Sequence, residues 1–217
     1  MIIRSLVLAV LLVGQSAAVQ AAEQNQAPNQ ALAHIGHILD AWVDTPGRWG
    51  LLPTAERDAD VARRHAALAI SSPDKLAVIQ THIRHVLNAI DPVVEKDGPG
   101  TGYGLIRAAA AISAHATLAA RSPDASDNVK LHAKHVIASI DTVVERCQKV
   151  ITLGKQILAQ KEAAPAVKKA YAVLQQVEWI LTGHDVNGDG VISWDKGEGG
   201  LAQVRKHVVY MKQGEGR

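Results

Sequence analysis

The feature that most constrains this chain is a histidine pair that recurs inside an internal repeat. Three segments align without gaps: His34-Ile-Gly-His37-Ile-Leu-Asp-Ala-Trp, His82-Ile-Arg-His85-Val-Leu-Asn-Ala-Ile and His132-Ala-Lys-His135-Val-Ile-Ala-Ser-Ile. The last two extend into Asp-Pro-Val-Val-Glu and Asp-Thr-Val-Val-Glu. A second element repeats as well. His65-Ala-Ala-Leu-Ala-Ile-Ser-Ser-Pro-Asp matches His115-Ala-Thr-Leu-Ala-Ala-Arg-Ser-Pro-Asp, and in both copies the next histidine pair begins 17 residues later. Pro46-Gly47 and Pro99-Gly100, each followed by an aromatic-Gly-Leu, form a third shared piece. A repeat of about 50 residues implies stacked copies of one supersecondary unit.

The apolar periodicity of that unit is helical. Ile79, Ile83, Val86, Leu87, Ile90 and Val94 fall on one face, as do Val129, Ala133, Val136, Ile137, Ile140, Val144 and Cys147. Asp74, and Asp124 or Ser126, follow prolines in N-cap position. The reading is all-α. Helices near 28–43, 54–71, 74–95, 104–121 and 126–160 make an up-and-down bundle of about five helices built from the repeat. Beyond Ala163-Ala164-Pro165 the pattern changes, and 163–217 reads as an appended helix–loop–helix. The division is therefore 1–22, 23–162 and 163–217.

Residues 1–22 read as a secretory signal peptide. Arg4 is a positive n-region, Leu6 to Val13 an unbroken apolar run, and Val19-Gln20-Ala21 or Gln20-Ala21-Ala22 a cleavage signal. The apolar run is too short to span a bilayer. The expected location is periplasmic or secreted, with no membrane span once the signal is removed. A net charge of +2 gives no basis for a nucleic-acid partner.

Residues three apart on a helix are neighbours, so each pair sets two imidazoles on one stripe. His34, His37, His82, His85, His132 and His135 are the candidate ligands of a transition metal, with His65 and His115 as further ligands. Imidazole suits Zn, Cu(II) and Ni. The lone Cys147 excludes a thiolate cluster and covalent haem attachment, and the two methionines exclude a Met-rich Cu(I) site. Carboxylates at the spacing of di-iron bundles are missing. The expected function is holding, buffering or delivering the metal, leaning away from catalysis. Two alternatives stand beside it: a b-type haem electron carrier with two axial imidazoles, and a calcium-stabilised interaction module whose histidines are structural. How the pairs group into sites stays open. His184 and His207 lie outside the repeat and receive no role.

Near the C-terminus runs Asp185-Val-Asn187-Gly-Asp189-Gly190-Val191-Ile-Ser193-Trp-Asp195-Lys196. Oxygen side chains stand at loop positions 1, 3 and 5, Gly190 at 6, the Val191 carbonyl at 7 and Ser193 at 9. Over about 45 residues this resembles the EF-hand family, and the Asp-Val-Asn-Gly-Asp-Gly run is similar to dockerin loops. The resemblance implies a calcium ion held by Asp185, Asn187, Asp189, Val191 and Ser193. The family's glutamate at position 12 is replaced by Lys196, which leaves Asp195 or Glu198 as its substitute.

Overall fold

The computed structural model describes residues 29–215, and the signal-peptide reading of 1–22 lies outside them. The chain is all-α, with seven helices and no strand among the described residues. They are α1 (Gln30–Leu39), α2 (Leu51–Ile70), α3 (Leu76–Ile90), α4 (Leu105–Arg121), α5 (Asp127–Leu158), α6 (Ala163–Thr182) and α7 (Leu201–Glu215). Pro46–Arg48 adds a 3₁₀ turn. Among the described residues no helix is long and apolar enough to cross a membrane.

One pair of repeat copies shows how a single residue sets helix length. In Ile90-Asp91-Pro92 the proline cannot supply an amide or tolerate a helical predecessor, and α3 stops at Ile90. In Ile140-Asp141-Thr142 that obstacle is gone, and α5 runs on to Leu158. The expected helix over 74–95 thus overruns α3 by five residues at its C-terminal end. Asp74 is not its cap either: the helix begins after Lys75, which makes no side-chain cap bond. Ser126 does cap α5, accepting from the Val129 amide at 3.2 Å.

The helices share one apolar core. Alanine supplies much of it: Ala55, Ala59, Ala62, Ala66 and Ala69 of α2, and Ala108, Ala109, Ala116 and Ala119 of α4, are fully buried. Small side chains let helix axes approach closely. On α5, Gly154 lies against Leu87 of α3 so tightly that an added Cβ would sit 2.7 Å from a Leu87 methyl. Consecutive helices α2 and α3, α4 and α5, and α5 and α6 pack as hairpins, but α1 packs chiefly on α4 and α7 on α5. The bundle is therefore not a simple succession of neighbours. Segment 163–217 shares the common core through Ala166, Ala170, Val173, Val177 and Ile180 of α6 and Val204, Val208 and Met211 of α7.

Two buried polar side chains pin the connections. Asp58 of α2 accepts from the Thr101 amide and hydroxyl, both at 2.7 Å, and from the Gly104 amide at 3.1 Å. It closes the glycine-rich turn before α4. Burial raises its pKa, against the pull of those donors. Arg146 of α5 donates to the carbonyls of Trp179, Gly197 and Gly199, fastening the end of α6 and the start of α7 to the long helix.

Candidate metal centres

Each histidine pair sits at the edge of a buried stripe. Counted from its first histidine, positions −3, +1 and +4 are Ala31, Ile35 and Ile38 on α1, Ile79, Ile83 and Val86 on α3, and Val129, Ala133 and Val136 on α5. All nine are buried. The lone histidines follow the same template. Ala62, Ala66 and Ala69 flank His65, Ile112, Ala116 and Ala119 flank His115, and Val204, Val208 and Met211 flank His207, all buried. A paired-histidine helix packed against a single-histidine helix therefore turns three imidazoles into the seam between them.

This happens three times. His34 and His37 of α1 meet His115 of α4, His82 and His85 of α3 meet His65 of α2, and His132 and His135 of α5 meet His207 of α7. All eight predicted histidines are thus brought into clusters. The ninth, His207, had no assigned role, and it completes the third cluster. Its sequence signal was short: Val204-Arg-Lys-His207 parallels Ala62-Arg-Arg-His65. The equal 17-residue spacing from His65 to His82 and from His115 to His132 does not give equal pairing. Helix α4 lies between α1 and α5, and His115 faces α1.

The converging atoms are Nδ1 nitrogens. The separations are 3.0 Å for His34–His115, 3.0 and 3.2 Å for His65 to His82 and His85, and 3.0 and 3.4 Å for His207 to His132 and His135. Nδ1 is the ring nitrogen nearer the backbone; alanine of α2 and α4 thins the first two seams across which it converges, while the third is lined mainly by Val129, Val136, Val204, Val208 and Met211. Imidazole nitrogens bound to one tetrahedral zinc at about 2.0–2.1 Å stand about 3.3–3.4 Å apart. These five separations are within a few tenths of an ångström of that geometry, and the ligand atoms of each cluster all lie within 4.8 Å of one another.

Hydrogen bonding alone leaves the clusters poorly satisfied. A neutral imidazole nitrogen is either one donor or one acceptor, so three converging Nδ1 atoms form at most one good mutual bond. In the first cluster the Nδ1 of His37 is buried without any partner. A cation at the centre takes all three lone pairs at once. Seven of the nine are also held toward the neutral form that ligates. Burial, then the neighbouring imidazoles, pushes His115 and His207 down to about 4. Burial likewise lowers His37, His65, His82, His132 and His135.

Aromatic side chains flank two of the clusters. The Trp42 ring lies 4.7 Å from His37 and 4.6 Å from His115. Trp194 stacks on His135, 4.0 Å away and nearly parallel, and Tyr210 lies 5.1 Å from His132. His184 remains outside the clusters and stacks on Trp179.

The calcium-like loop lies over the third cluster, since Trp194 belongs to it. Its acidic residues fold into the loop's own backbone. Asp185 accepts from the Gly188 and Gly190 amides at 2.7 and 2.8 Å, Asn187 from the Asp189 amide, and Asp189 from the Val191 amide. Those amides hold the exposed Asp185 carboxyl below its usual range. Glu198, buried, takes the amide and hydroxyl of Ser193 at 2.9 and 2.8 Å. The Asp195 charge acts on His135, against the burial that lowers it. Of the two candidates for the missing glutamate, Glu198 brings its carboxylate onto Ser193, whereas Asp195 meets the Ser193 hydroxyl through its backbone amide, at 2.9 Å.

Comparison with family models, with curated proteins and with solved structures finds no match to this chain.

Proposed function

We propose that this chain is a transition-metal carrier with three separate three-nitrogen sites, exported to the periplasm or beyond. The observation that carries the reading is the threefold convergence of Nδ1 atoms at metal-ligand spacing. All-nitrogen neutral donors select Zn, Cu(II) or Ni over Ca or Mg. Each site offers three protein ligands and one open position, which permits release to an acceptor. The same geometry argues against the haem alternative, because a porphyrin does not fit between nitrogens 3.0 Å apart. Storage, buffering or delivery follows from repetition: a chain carrying three like sites gains capacity. The test is Co(II) substitution. Four-coordinate nitrogen-rich Co(II) gives intense visible bands that rise linearly to the last site and then stop. Weak six-coordinate bands, or a Soret band in the purified protein, contradict the proposal.

The loop from Asp185 to Glu198 completes the proposal as a structural calcium site. Supporting it are the first nine loop positions and the inward Glu198, two residues later than the family's glutamate. Calcium raises the melting temperature of the unmutated protein, and Asp185→Ala with Asp189→Ala removes that rise. A thermal unfolding curve unmoved by calcium in the unmutated protein removes the calcium claim and leaves the histidine sites standing.

A further inference from the structure

The three clusters share a template but not a cover. Eight residues after the first histidine of the pair stands Trp42 in the first cluster, Ile90 in the second and Ile140 in the third. Helix α1 ends at Leu39, so Trp42 folds back over His37 and His115, held by the bond from its amide to the Trp49 carbonyl at 3.1 Å. Helices α3 and α5 place Ile90 and Ile140 in the core instead. The third cluster has its cover from elsewhere. Trp194 reaches it from the loop, and Tyr210 stands three residues after His207. In the position of Tyr210, α2 carries Leu68, which is 44% exposed. Among the described residues no aromatic ring contacts His65, His82 or His85 other than one another. The lone histidine differs too: His115 and His207 are 8% and 7% exposed, whereas His65 is only half-buried.

We infer that the cluster of His65, His82 and His85 is the exchange site, through which metal enters and leaves, while the two indole-covered clusters retain it. The inference rests on the proposed metal sites and assigns them unequal parts. Metal transfer between ligands proceeds by substitution, in which an incoming donor bonds at the open position before an imidazole leaves. No electron moves, and each departing imidazole keeps its lone pair. An indole over the imidazoles obstructs that approach in the first and third clusters. The second cluster presents its open position to water and to the donor groups of a chelating carrier.

The experiment loads the full chain with Zn(II) and mixes it rapidly with excess of a chromophoric chelator. One ion leaves in a fast phase and two in a phase slower by about tenfold or more, a barrier difference of at least about 1.4 kcal/mol. His82→Ala abolishes the fast phase alone. Trp42→Ala and Trp194→Ala each move one ion from the slow phase to the fast. Three ions leaving in a single phase overturn the inference and spare the sites. A fast phase that survives His82→Ala overturns it also. A chain that never holds three ions overturns the underlying site reading, and the inference with it.

Discussion

His207→Ala lowers the metal content of the loaded protein from three ions per chain to two. His207 is the lone ligand that α7 gives to His132 and His135. Two imidazoles on one helix bind far more weakly than three in a closed seam. Loss of an outer-shell partner already costs about 10–100-fold in affinity, so loss of a ligand costs at least about 100-fold. His65→Ala and His115→Ala each remove a different ion, and the three substitutions add because the clusters share no ligand. His184→Ala, which removes a ring stacked on Trp179 outside every cluster, leaves the count at three. Dialysis against buffered metal followed by elemental analysis reads all four variants. A His207→Ala protein that still holds three ions excludes the third site as built.

Metal raises the melting temperature steeply, and acid removes the effect. A ligand that binds only the native state at a hundredfold excess over its dissociation constant adds about 2.7 kcal/mol per site. Three sites add about 8 kcal/mol, which for a chain of this size is a rise of about 15–30 °C. The sign of the pH dependence follows from the lowered histidine pKa values. His115 and His207 titrate near 4 when folded, against an ordinary value of about 6.5 in the unfolded chain. Between those values the unfolded state binds more protons, so the stability of the metal-free protein falls as pH drops from about 6.5 to about 4. Metal affinity falls at lower pH, as the folded His115 and His207 themselves take up protons near 4, because a protonated imidazole is no ligand. The metal-dependent rise is full at neutral pH and is lost as pH falls through about 4. Calorimetry with and without zinc across that range measures both. A metal effect that persists unchanged well below pH 4 points to carboxylate ligands instead.

The apolar stripe and the histidine pairs were legible because both obey helical spacing. Ile79, Ile83 and Val86, and their counterparts on α5, lie where the period places them. Eight of the nine clustered histidines followed from the repeat. His207 did not, because α7 keeps only a short Arg-Lys-His trace and its flanking valines fit any amphipathic helix. The grouping was illegible for a different reason. Which neighbour a lone histidine meets depends on helix order in space, and α4, which carries His115, packs against α1, α2 and α5 alike. The end of α3 was overrun because the apolar pattern continues to Val94, while Pro92 ends the helix two residues before it. The absence of phenylalanine and the abundance of alanine now have a common account. In the first two clusters the alanine faces of α2 and α4 lie where Nδ1 atoms stand 3.0–3.2 Å apart, and bulky rings there would hold the helices apart.

The account stands most directly on the number of ions one chain binds. The full chain is equilibrated with Zn(II) at neutral pH, freed of loose metal by gel filtration and analysed for zinc and protein together. The expected ratio is three, falling to none when His65, His115 and His207 are all replaced by alanine in a chain that remains helical by circular dichroism. A ratio below three in the unmutated protein, or one that the triple substitution leaves unchanged, contradicts it.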